Sequence, residues 1–260
     1  MNCMEMKLVK GMAVGFLAGW LLAGCSSGYS LAGVEGGRIA ITDKYDRNTD
    51  PEALNILKPY QQKVDSIMKP VIGHSAKALS AYRPESPLSN WIADVLRQSA
   101  VRAIGRPADV AVMNMGGIRN AMPEGEITYG TIYEIAPFEN ALCVLTMDGA
   151  TLKELFAEIA SVHGEGLSGA ALQIDEEGNL QDAKVNGRPV EEKKVYTVAT
   201  IDYLAEGNDR MMAFRKAQSK TFPKDALLRG LLLDAVKQCE QKGQFVSAQV
   251  EGRIKVSASN

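Results

Sequence analysis

Histidine is nearly missing from this chain: His74 and His163 are the only two among 260 residues. A two-metal hydrolytic site needs a set of His, Asp and Asn ligands, and a zinc site needs Cys or His at short, regular intervals. Neither pattern can be read here, so both histidines are expected to be ordinary surface or packing residues. A surplus of either charge is also lacking. The 29 Lys and Arg nearly balance 31 Asp and Glu, for a net charge of −2, which leaves no electrostatic footprint for nucleic acid or an anionic membrane as partner. Long apolar runs are scarce as well. The longest, Gly11 to Leu22, is about a dozen residues and too short to span a bilayer comfortably.

That short run does have a reading. Lys7 and Lys10 precede it, and Leu22-Ala23-Gly24-Cys25 follows it, so residues 1–24 resemble a lipoprotein signal with cleavage before Cys25. An uncleaved anchor with an incidental Cys is the alternative. Lipidation at Cys25 with two or three acyl chains would hold the chain stably on a membrane, on the extracytoplasmic face of a bacterial cell envelope. Of the four cysteines, Cys143 and Cys239 then remain; they are read as two buried thiols, with one disulfide as the alternative in an oxidising compartment.

Residues 25–49 read as the lipidated Cys and a Gly/Ser tether, with a short strand expected at Arg38–Ile41. Asp50-Pro51-Glu52 is a helix start, opening a linker-like helical segment over 50–69 that is interrupted at Pro59. The main domain is placed at 70–260. A second helix follows Ser86-Pro87 and ends near Gly105; Ala141–Met147 and Val195–Thr200 are strands. Ala170–Asp175 and Ala183–Val185 form a hairpin, Ala226–Gln241 is a helix, and Val246–Val256 is strand-like. Helices and strands alternate with hairpins between them, so a mixed-sheet α/β or α+β domain is expected.

One stretch concentrates the chemistry. After the apolar run Val110-Ala111-Val112, the chain breaks into Asn114-Met115-Gly116-Gly117-Ile118-Arg119 and, further on, Ala136-Pro137-Phe138-Glu139. A Gly pair after a strand lets backbone approach a ligand closely. An amide, a guanidinium and a Phe beside it suit a planar, anionic, hydrogen-bonding ligand such as a nucleotide.

From about Lys69 onward the chain resembles the C-terminal, nucleotide-binding domain of the bifunctional 5′-nucleotidases and UDP-sugar hydrolases. Glu85-Ser86-Pro87-Leu88-Ser89-Asn90-Trp91-Ile92-Ala93-Asp94 is similar to the family's E-S-P-L-G-N-L-I-A-D, and Asn114–Arg119 to N-G-G-G-I-R. Ile127–Phe138 is similar to I-T-Y-G-x-x-Y-x-x-x-P-F, and Val250–Lys255 to V-E-G-R-I-K. The resemblance implies a layered α/β/β/α fold and a nucleotide or nucleoside ligand. It also implies site residues: Asn114, Gly116, Gly117 and Arg119 on the phosphate-ribose side, Phe138 as one stacking face, and Arg83, one position from the family's usual Arg, as a further cation. Gly207-Asn208-Asp209-Arg210-Met211 stands where the family has G-G-D-G-F or G-G-D-G-Y. Asp209 is therefore carried over as a ligand contact and Met211 as the second stacking position, with Phe214 as its alternative.

The family's D-x-H and G-N-H-E metal motifs do not occur in these 260 residues. The expectation is a nucleotide grip with no metal or other cofactor of its own, acting in nucleotide catabolism with a separate metallophosphoesterase subunit that carries the divalent ions. Two other readings stand beside it: a non-catalytic nucleotide- or nucleoside-binding lipoprotein, and a degenerate domain that binds no nucleotide.

Overall fold

The computed structural model describes residues 31–47 and 49–257; the expected leader, Cys25 and the start of the expected tether lie outside them. Two compact units divide at Leu54 and Asn55. In the first, one 3₁₀ turn at Asp43–Tyr45 is the regular structure before the helix at Pro51. The strand expected at Arg38–Ile41 does not form. Its residues are all exposed and no neighbouring strand takes their backbone bonds, without which an extended segment has nothing to hold it in a sheet.

Helix α1 (Pro51–Met68) opens as its first residues demand, with Asp50 Oδ1 accepting from Glu52 N (2.9 Å) and Ala53 N (3.3 Å). It runs through Pro59 unbroken, contrary to the expected interruption. Proline forfeits a single backbone bond, and its fixed φ is already helical.

In the second unit a five-stranded sheet has the order β10-β4-β9-β2-β5 (Ser219–Thr221, Leu142–Asp148, Val195–Ile201, Val110–Met113, Gly166–Ser168). β2 runs parallel to β9, while β4 and β5 run antiparallel to their neighbours. β9 is buried at every position after Val195, as a central strand covered on both faces must be. A four-stranded sheet, β11-β6-β7-β8 (Ile254–Ser257, Ala170–Asp175, Leu180–Val185, Arg188–Pro189), is antiparallel except for the parallel β11/β6 pair. Asn186 and Gly187, both at positive φ, turn β7 into β8. β1 (Val71–Ser75) and β3 (Gly125–Thr128) form a separate antiparallel pair.

Helix α2 (Pro87–Ser99) seats Leu88, Ile92 and Leu96 on the five-stranded sheet, a row at helical spacing. A short α3 (Val101–Ile104) follows, closed by Gly105 at φ 70. The segment Tyr129–Ile135 is helical (α4), capped reciprocally by Thr128 and Thr131. Helix α5 (Gly149–Ser161) touches strands of both larger sheets, and α7 (Leu228–Gln241) lies on β1, α2 and α4; between them in sequence, α6 (Asp202–Ala205) is a single turn. The mixed-sheet fold class is as expected. The C-terminal strand is shorter than its composition suggests, since only Ile254–Ser257 pairs as a strand. Among the described residues no helix is long and apolar enough to cross a membrane.

Candidate ligand site

Parallel pairing of β2 with β9 brings the carboxyl ends of both strands to one edge, and antiparallel β4 begins at that same edge. The chain leaves β2 at Asn114 and β9 at Ile201, and it enters β4 from Asn140. These three exits enclose a cavity of about 310 Å³, the usual place for a ligand in an open sheet with parallel strands. Gly116 and Gly117 form one wall; Ile201, Asn140, Phe138, Tyr203 and Asp209 complete it with Asn114.

Asn114 is 4% exposed. Its Nδ2 donates to Asp209 Oδ2 at 2.6 Å, and because an ionised carboxylate only accepts, this contact fixes which way the amide faces. Asn114 Oδ1 is thereby left without a hydrogen bond. The other Asp209 oxygen accepts from the Tyr203 hydroxyl at 2.8 Å, and that bond, with the Asp209 charge behind it, raises the Tyr203 pKa. Gly117 leaves room here for the Met113 and Asn114 side chains. A Cβ at that position would lie 2.6 Å from Met113 Cε and 2.8 Å from Asn114 Oδ1.

Beneath the turn lies Glu165, its side chain 2% exposed. It accepts from Met115 N and from the Arg83 guanidinium. Burial lifts its pKa above the usual carboxylate range, against the opposing pull of the Met115 N–H and Arg83.

Phe138 is held from outside. Arg229 of α7 donates to the carbonyls of Ala136 (3.3 Å) and Pro137 (3.0 Å), and its guanidinium sits 4.4 Å over the Tyr133 ring. On the far side of the loop, Asn140 Nδ2 donates to Asp202 Oδ1 at 3.1 Å. The ring itself stays 49% exposed at the cavity.

Asn114, Gly116, Gly117, Phe138 and Asp209 thus come together. Met211 does not join them. It is wholly buried, as is Phe214, because Asp209 and Arg210 both adopt positive φ (52 and 67) and the turn they make leaves the next side chain in the core. The second ring lining the cavity is Tyr203. Arg119 lies outside the cavity lining, exposed, with Nη1 on Gly116 O at 3.2 Å and no ion pair among the described residues. Arg83 is likewise not a lining residue; its partner is Glu165. Tyr203, Asn140 and Glu165 escaped the sequence reading. An aromatic two residues beyond the end of β9 was the available signal for Tyr203; Glu165, in His163-Gly164-Glu165-Gly166, has no motif around it.

Away from the cavity, His74 Nδ1 meets Glu240 Oε2 at 3.1 Å and its ring lies against Phe245, while His163 Nε2 contacts Glu176 O at 3.2 Å. Cys143 and Cys239 are free thiols, and burial raises Cys143 to about 12. Among the described residues no three His, Cys, Asp or Glu side chains cluster as a metal site would need.

A sequence model of the family described as "5'-nucleotidase, C-terminal domain" matches residues 71–216. The Bacillus subtilis protein "Endonuclease YhcR" is 33% identical over 175 residues, 64% of this chain and 14% of the relative. "Trifunctional nucleotide phosphoesterase protein YfkN", also from B. subtilis, is 29% identical over 242 residues, 81% of this chain and 16% of the relative. The chain therefore spans a small part of these larger proteins. Among solved structures, a 5'-nucleotidase precursor from Thermus thermophilus superposes with a TM-score of 0.69 at 27% identity, over 79% of this chain and 43% of that one. With the family's sequence model covering more than half of its length, and the same fold beneath it, the chain belongs to the 5'-nucleotidase C-terminal domain family.

Proposed function

We propose that this chain is the nucleotide-holding half of a 5'-nucleotidase-type phosphohydrolase whose metal-bearing phosphoesterase half is supplied by a separate subunit. The observation that carries the reading is the cavity wall itself, in which the buried Asn114 amide is tied to Asp209 beside two aromatic rings, Phe138 and Tyr203. Phe138 and Tyr203 are the surfaces on which a base would stack. Asp209 retains lone pairs for sugar hydroxyls. Arg119, exposed and without an acidic partner among the described residues, touches the turn at Gly116 O and offers a cation for a phosphate. The nucleotide phosphoesterase named among the relatives supports the same ligand class.

In this reading the divalent ions and bond cleavage belong to the partner. Lipidation at Cys25 would hold the complex at the cell envelope, and Cys25→Ala is expected to release the protein from the membrane fraction. The central test is AMP hydrolysis by this protein, by a candidate metallophosphoesterase, and by both together. Stimulation on mixing is the expected result. No stimulation with any candidate, alongside tight nucleotide binding by this protein alone, would replace the split enzyme with a non-catalytic nucleotide-binding lipoprotein. Absence of both would leave a degenerate domain.

A further inference from the structure

We infer that Glu165 is a positioning residue for the cavity: its ionised carboxylate fixes the Asn114–Gly117 turn through Met115 N–H and anchors Arg83 beside it, so that ligand affinity follows the charge on Glu165. This rests on the nucleotide reading of the site, but its geometry is independent of any ligand. β5 pairs with β2 so that Gly166 stands opposite Met113, which sets Glu165 directly under the residues leaving β2. Gly164, at φ 107, passes so close to the preceding loop that a Cβ there would lie 2.2 Å from Pro84 O. The backbone carrying Glu165 is therefore packed directly against the loop that carries Arg83.

Each Glu165 oxygen has one donor, Met115 N–H on one and Arg83 on the other. A protonated carboxyl carries an O–H on one of those two oxygens and has lost its charge, so its hold on two groups that can only donate is weakened. Burial, the largest influence, and the negative charge of Asp209 raise the Glu165 pKa, against Met115 N–H and Arg83. Arg83 and Asp209 are the charged groups that act on this carboxylate; the His163 ring turns away to Glu176 O.

The test is calorimetric titration with adenosine, guanosine, cytidine and uridine, which carry no phosphate to titrate, at about pH 7.5 and about pH 5.5. For wild type, the affinity for the nucleoside that binds best should fall roughly fivefold on acidification, the difference between a charge-assisted and a neutral hydrogen bond. E165Q should be several-fold weaker at the higher pH and nearly flat between the two, while Arg83→Gln, which removes an opposing charge, should move the wild-type fall to higher pH. Parallel pH profiles for wild type and E165Q, or equal affinities at the higher pH, overturn the inference. If E165Q fails to fold, an unmoved profile in Arg83→Gln overturns it. If wild type binds no nucleoside, it is the nucleotide reading that fails. The role of Glu165 is then decided by amide exchange across residues 114–117, expected to be about tenfold faster in E165Q and refuting the inference if unchanged.

Discussion

Glu85 and Glu165 are both buried carboxylates that take backbone N–H donors, at 4% and 2% residue exposure. Their surroundings differ. Glu85 accepts from Asn90 Nδ2 (2.6 Å), Glu251 N (2.8 Å) and Ile254 N (3.3 Å), so it ties the start of α2 to the segment entering β11. Arg253 strengthens the tie with paired 2.8 Å bonds to Asp94. The family-like segments at Glu85–Asp94 and Val250–Lys255 therefore hold each other across the domain and do not line the ligand cavity. Glu165, in a stretch without motif character, supports the turn that lines the cavity. A motif that identifies a family can be architectural, while a residue that shapes the site can sit in an unremarked loop.

Substitutions can separate the two regions. Glu85→Ala should have the largest effect, a loss of roughly 3–5 kcal/mol of stability, read from the denaturant midpoint, because two backbone N–H groups and an amide lose their acceptor in the interior. Affinity of the folded fraction should not change; a comparable loss of affinity would erase the distinction between the regions. Met211→Ala should cost about 2–4 kcal/mol of stability through the cavity it leaves, again with nucleoside binding intact. If binding fell while stability held, Met211 would be a stacking residue after all. Phe138→Ala reverses the pattern: its half-exposed ring contributes little to folding, and titration should show roughly 1–3 kcal/mol lost from binding. Tyr203→Phe keeps the ring and removes the hydroxyl on Asp209, for about 1 kcal/mol in affinity. A larger loss would mean that Tyr203 acts chiefly through Asp209 and not as a stacking surface.

Much of the framework could be read along the chain. The strands β2, β4 and β9, the helix after Ser86-Pro87 and the 170–185 hairpin follow from local apolar spacing and turn residues, which act over a few positions. Asn114, the Gly pair and Phe138 were legible because a Gly-rich break after a strand and an aromatic after Pro137 are local signals too. Arg38–Ile41 and residues 247–253 failed as strands because pairing needs a partner, and composition does not supply one. Met211 was misplaced for a related reason. Positive φ at Asp209 and Arg210 rotates the chain between the aspartate that faces the cavity and the methionine that does not.

The amino-acid sequence by itself determined the family, the mixed α/β class and the turn at Asn114, since these rest on residues adjacent along the chain. Only the tertiary structure decided that Tyr203 is the second ring lining the cavity, that Arg83 is taken up by Glu165, and that Asn114 is tied to Asp209 there. Each depends on which strand ends are brought side by side, and the parallel register of β2 on β9 joins residues nearly ninety positions apart.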